Sequence, residues 1–269
     1  MLNLLLLFAL FPAHAADFRP SSDISACVDE LPFGVPTSTA QNTTLICREG
    51  YALQHDNSAK IALWAGWTLL PEETIGCNPR EDAFSADADV PEGSRALPSD
   101  YAKSGYDKGH MVPDADMSWS KQTSIESFLM SNMSPQLPNL NRGAWKLLEA
   151  QTRAWAWSRK HSVTVYSGNI FSSGAKRIGA SGVVVPDALY KILVDDVTGE
   201  VLAFHFPNVD KQPTDLKPRL TSVAEIEKLT GISFPVPAGH DKTKAAADVW
   251  PGGQGEVMEA KKAACKAKR

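Results

Sequence analysis

Asn141-Arg142-Gly143-Ala144-Trp145-Lys146-Leu147-Leu148-Glu149-Ala150-Gln151-Thr152-Arg153-Ala154-Trp155 opens a helical pattern predicted over 141–160. On a 3.6-residue period, Trp145, Leu148, Thr152 and Trp155 share one face, which asks for a core. Arg142, Lys146, Glu149 and Arg153 fall together on the adjacent stripe. That stripe has two readings. It is either a solvated face with Glu149 and Arg153 as an i,i+4 pair, worth a few tenths of a kcal/mol, or a set of charges gathered for a substrate.

Upstream of this helix lies Ser131-Asn132-Met133-Ser134-Pro135-Gln136, and further upstream Asp107-Lys108-Gly109-His110 at a bend before Met111-Val112-Pro113. The second run puts an acid, a base, a glycine and an imidazole side by side. Alone it is a turn with charges; beside the other two clusters it carries more. The remaining histidines offer less: His55 sits in a predicted turn, His205 in an apolar strand, and His161 and His240 have no evident partners.

Around these clusters the pattern is mixed. Segments 46–53 and 60–69 read as a strand hairpin about a turn at 55–58, and 162–170, 188–194 and 200–206 read as further strands. Residues 71–100 form a long irregular excursion, a length that tends to be functional inside one domain. Segment 124–133 is predicted helical, as is 222–229, where Ser222 and Glu225 make a capping box and Gly231 ends the turn. The basic end, 261–269, reads as a solvated helix end. Strands do not alternate with helices, so the expected class is α+β, with a central, mostly antiparallel sheet flanked by helices.

Residues 1–15 pair an apolar run with Ala13-His14-Ala15, the pattern of a cleaved signal peptide, although no Lys or Arg precedes the run. No Gly/Ser linker, repeat or break in composition divides the remainder, so 16–269 is expected to be a single domain. Cys27, Cys47, Cys77 and Cys265 form no CxxC pair, which argues against a structural zinc site. In an oxidising compartment they allow two disulfides in three connectivities. Cys27–Cys47 with Cys77–Cys265 is favoured, because the first closes a short loop and the second ties down the tail. The formal net charge of −4 does not advertise a nucleic-acid binder, since proteins held by phosphate contacts are usually basic on at least one face. It does not exclude a hydrolase with a locally positive site, which must also release its product.

Taken in order, Asp107-Lys108-Gly109-His110, Ser131-Asn132-x-x-Pro135-Gln136, and Asn141-x-Gly143-Ala144-Trp145 with Glu149 and Arg153 resemble the DNA/RNA non-specific endonucleases of the ββα-metal (His-Me finger) class. Arg80-x-x-x-Phe84-x-x-Asp87 resembles that family's arginine-bearing loop, and 223–231 its late helix. The resemblance implies the ββα-metal nuclease fold and hydrolysis of phosphodiester bonds in DNA and RNA. It implies His110 as the general base, a task that an imidazole suits near neutral pH. Asn141 would be the one direct protein ligand of a Mg2+ ion, with Mn2+ as a substitute. A neutral amide oxygen would leave the dication's charge undiminished for the phosphate. Glu149 would hydrogen-bond the waters of that ion, and Arg80 and Arg153 would brace the phosphate as charge develops. Asn132 would line the same site. Lys108, Arg142 and Lys146 are the expected substrate contacts.

One departure stands out, since the family's first motif usually has arginine where this chain has Lys108. Lysine keeps the charge and loses the bidentate fork. The expected partners are DNA and RNA, with no membrane anchor, in a secreted or periplasmic setting; no residue points to an inhibitor protein. Two other functions remain open: a phosphodiesterase of the same fold with narrower substrates, and a catalytically weak nucleic-acid-binding relative.

Overall fold

A computed structural model describes Cys27 and residues 31–267. The predicted signal peptide lies outside the described residues. The strands are β1 (Thr43–Cys47), β2 (Ala52–Asp56), β3 (Ile61–Leu69), β4 (Asp107–His110), β5 (Met133–Gln136), β6 (Val163–Ile170), β7 (Ala188–Asp195), β8 (Val201–Pro207) and β9 (Leu220–Thr221), besides two short pairs at 37–38 with 232–233 and 177–178 with 183–184. The main helices are α1 (Lys121–Ser127), α2 (Lys146–Arg159), α3 (Val223–Thr230) and α4 (Gln254–Ala267).

Seven strands form one sheet in the order β9-β8-β7-β6-β3-β2-β1, every neighbouring pair antiparallel. Strand β7 is buried along its whole length because both faces are covered. Leu189 and Leu193 point to the side that carries Trp145, Leu148 and Trp155; Tyr190, Ile192 and Val194 point to the side closed by Val223, Ile226 and Phe234. Each large apolar side chain removed from water in this way contributes about 1.5–3 kcal/mol. The apolar face read from the sequence of α2 is the one in the core: Trp145, Leu148, Thr152 and Trp155 are all buried.

Five expectations need correction. The strand predicted at 46–53 is two strands, split by a turn in which the Arg48 amide donates to the Tyr51 carbonyl at 2.7 Å. The Arg48 guanidinium is pulled into the protein by Asp87 at 2.7 Å and Asp89 at 2.5 Å, partners that no local pattern could announce. His55 lies in β2, buried and bonded to Asn57 at 3.1 Å, and the turn follows it. The helix predicted over 124–133 is α1, ending at Ser127, and residues 133–136 are a strand. The predicted solvated end is helix α4, but Lys261 on it is half-buried and donates to Ser118 Oγ at 3.2 Å. His161, unpartnered in the sequence reading, contacts Asp195 through Nδ1 at 2.8 Å.

Both favoured disulfides, Cys27–Cys47 and Cys77–Cys265, are present. The second spans 188 residues and fastens α4 to the start of the segment that carries Arg80. Closing a loop of that length restricts the unfolded chain by about 5 kcal/mol at most. The double variant C77S/C265S should therefore unfold several degrees lower in calorimetry, with a loss in the range of about 2–5 kcal/mol. An unchanged Tm would mean that α4 is held by packing alone.

Candidate active site

Strands β4 and β5 form a two-stranded ribbon apart from the main sheet, pairing His110 with Met133 and Gly109 with Ser134. Glycine is required at 109, because a Cβ there would meet the Gln136 side chain at 2.2 Å. The ribbon delivers His110 between the rings of Phe128 and Phe84, with centroids at 5.0 and 5.8 Å. Its Nε2 forms no hydrogen bond with any described residue. Burial first, and the Arg80 charge second, disfavour the imidazolium and lower its pKa from 6.5 to about 3. The ring is held neutral, with a nitrogen that no protein donor claims.

Residues 140–145 form a wide π-turn and not the first turn of the α-helix predicted from 141; Gly143, at φ −107° and ψ −108°, breaks the helical path before α2 begins. This turn is locked to the ribbon. Trp145 Nε1 donates to the His110 carbonyl at 3.1 Å. Asn141 Nδ2 donates to Asp107 Oδ2 at 3.0 Å, and the same carboxylate receives Arg142 through Nε at 2.8 Å and Nη2 at 2.7 Å. Burial alone would raise the Asp107 pKa, but the bonds from Arg142 and Asn141 outweigh it and hold the carboxyl below 3.8. A carboxylate can only accept, so it fixes which end of the amide turns toward it. Asn141 Oδ1 is thereby the end of the amide turned away from that carboxylate. Asp107→Ala should weaken cation binding by about 10–100-fold, read as the midpoint of activity against metal concentration. An unchanged midpoint would remove Asp107 from this role.

The charged stripe of α2 faces the ribbon. Arg153 Nη1 donates to Asp116 Oδ1 at 2.7 Å, and Trp67 Nε1 holds the other oxygen of that carboxylate at 3.1 Å. Arg80 comes from the long excursion, half-exposed, over the ring of Phe128 at 4.9 Å and beside Asp114 at 3.9 Å. Burial raises the pKa of Glu149, opposed by the charges of Lys191, Arg153 and Arg80. Lys191 is the residue that sequence reasoning missed. It stands between Leu189 and Leu193 on β7, is 1% exposed, and has its ammonium 4.5 Å from the Trp145 ring. A lysine inside an apolar strand gives no local sign that its counter-charges, Glu149 and Asp116, lie on other elements.

Arg80, Lys108, His110, Asn141, Arg142, Lys146, Glu149 and Arg153 line one cleft of about 510 Å³. Its lining includes Arg80, Lys108, Arg142, Lys146 and Arg153 as cations against the carboxylates Asp114 and Glu149, so positive charge is concentrated here despite the negative total. Asn132 is the exception among the predicted residues. It is fully buried behind the cleft, its Oδ1 accepting from the Val112 amide at 3.0 Å and its Nδ2 donating to the carbonyls of Val112 and Ser127. It shapes the backbone after His110 and does not face a substrate. Lys108 lies with its ammonium 4.8 Å over the ring of Phe84. Among the described residues no group of three or more His, Cys, Asp or Glu side chains could hold a metal ion. One amide oxygen, a nearby carboxylate and open space fit a hard cation that keeps most of its waters, which is the habit of Mg2+.

Residues 31–238 match the family model described as DNA/RNA non-specific endonuclease. A nuclease of Nostoc sp. is 32% identical over 230 residues, covering 81% of this chain and 82% of that protein. The human mitochondrial endonuclease G is 31% identical over 202 residues, covering 70% of this chain and 68% of its own. Among solved structures, the crystal structure of the EndoG/EndoGI complex superposes with a TM-score of 0.67 at 24% identity, over 78% of this chain and 91% of that one. The fold is that of a ββα-metal nuclease, with a central antiparallel sheet and flanking helices.

Proposed function

The chain belongs to the DNA/RNA non-specific endonuclease family, and from that premise we propose that it is an exported endonuclease, dependent on one divalent metal ion, that cuts DNA and RNA without marked sequence preference. One observation carries the reading. A buried, neutral imidazole and an amide oriented by Asp107 open onto the same cation-rich cleft. His110 accepts a proton from water as the water oxygen forms its bond to phosphorus and the bond to the 3′ oxygen breaks. Arg80 and Arg153 offer charge to the phosphate oxygens as negative charge builds up. Asp116 supports this by fixing the guanidinium of Arg153. Glu149 accepts hydrogen bonds from water near Asn141. The cation, Mg2+ in this reading with Mn2+ as a substitute, supplies charge that polarises the phosphate and stabilises the leaving oxygen.

Indifference to sequence follows from what the cleft offers. Its charged groups are the kind that engage phosphates, and phosphate contacts carry no base information. Export accords with two disulfides and with the absence, among the described residues, of a helix long and apolar enough to cross a membrane. The test is an assay of purified protein on plasmid DNA and on RNA, with Mg2+ and with a chelator. Nicking and RNA degradation that stop on chelation are expected; both polymers intact across divalent metals would end the proposal.

A further inference from the structure

Strand β4 begins at Asp107, and residues two apart on a strand share a face at steps of about 7 Å. His110 and Lys108 both line the cleft. Tyr106 lies just before the strand, two residues from Lys108, half-buried and packed in the same apolar cluster as Phe84 and Tyr101. Lys176, exposed on the segment after β6, brings its ammonium to 4.9 Å from the Tyr106 ring centroid and 3.5 Å from the Tyr106 hydroxyl. Lys108 repeats the arrangement one step inward, over Phe84 at 4.8 Å and near Tyr101 at 6.0 Å. Arg142 on the cleft, and Lys217 and Lys242 away from it, are engaged by carboxylates. Lys108 and Lys176 instead rest on rings, with no carboxylate ion pair among the described residues.

We propose that Tyr106 and Lys176 form a second substrate subsite, which holds the nucleotide strand beyond the scissile phosphate. Lys176 takes a flanking phosphate and Tyr106 offers its ring to an adjacent base or sugar. Rings paired with ammonium groups beside the cleft suit a single nucleic-acid strand, because every base has a π-face and every linkage a negative charge. This inference rests on the nuclease reading. It also extends it, because the cleft alone accounts for the phosphate that is cut and not for its neighbours.

The test is binding of a fluorescent twelve-nucleotide single strand, measured by anisotropy with a chelator present so that cleavage plays no part. Lys176→Ala and Tyr106→Leu should each weaken binding by about tenfold, while Tyr106→Phe and Lys176→Arg should hold close to the unsubstituted protein. Lys176→Ala should also lower the slope of log Kd against log salt by about one unit. Lys262→Ala, which removes an exposed cation on α4 paired with Glu259, is the control for bulk charge. Equal affinity across all variants, an equal loss in Lys262→Ala, or no binding by the unsubstituted protein would overturn the subsite. Absence of cleavage by a protein that binds as described would strike instead at the catalytic reading.

Discussion

Replacing His110 with alanine should lower kcat by about 10²–10⁴-fold while KM and the circular dichroism spectrum change little. Among the described residues the ring is the one imidazole that lines the cleft. Because the alanine leaves a space between Phe84 and Phe128, His110→Gln serves as a second variant that keeps most of the volume. Full activity in either would remove His110 from the mechanism.

The pH dependence follows from the same surroundings. An imidazole of ordinary pKa would be protonated, and lost as a base, below about pH 6.5. Here the folded value is lowered to about 3 by burial and then by Arg80, so the neutral form persists through mildly acidic solution. The acid limb of kcat/KM should therefore lie well below pH 6.5 and not at it. The sign for stability runs the other way. Between about pH 6.5 and pH 3 the unfolded chain binds a proton at this residue that the folded chain refuses, so stability falls as pH drops through that window. His110→Gln should flatten that part of the Tm profile. A limb centred on pH 6.5 in the unsubstituted enzyme would show that the base is more exposed than its packing implies.

Asn141→Ala should produce a comparable loss, about 10²–10⁴-fold at fixed low metal, with part recovered as the metal concentration rises. Partial recovery distinguishes a lost ligand from a lost base, which no amount of metal restores. Asn141→Asp is the sharper probe. It keeps an oxygen for the cation, but it removes the Nδ2 donor that now bonds Asp107 at 3.0 Å and puts two carboxylates together. It also cancels part of the dication's charge. We expect Asn141→Asp to remain impaired at saturating metal and to be less stable than Asn141→Ala. A wild-type rate in Asn141→Ala at low metal would show that the cation is held elsewhere.

Much of the site was legible because its motifs are short and local. The apolar face of α2 fixed which stripe would remain outside the core, and the Asp107 to His110 run carried its chemistry in four adjacent residues. What escaped was the polar pairing of side chains and backbone on distant elements. Met133-Ser134-Pro135-Gln136 lacks the alternation of a strand and becomes one only by pairing with 107–110. Asn132 reads as a site residue from its motif, yet its amide is consumed by the backbone of Val112 and Ser127. Lys191 reads as an odd residue in an apolar strand until α2 brings Glu149 over it. The role of Asp107 needed the π-turn, which moves Asn141 off the regular helical path and against the ribbon.

The bond between Cys77 and Cys265 also sets an order of events. A chain made from its N-terminus exposes Cys77 while its partner, 188 residues later, does not yet exist. The segment leading into Arg80 can then be fastened only after Cys265 has been added and both thiols have been oxidised. Until then the arginine loop lacks its covalent tie to α4.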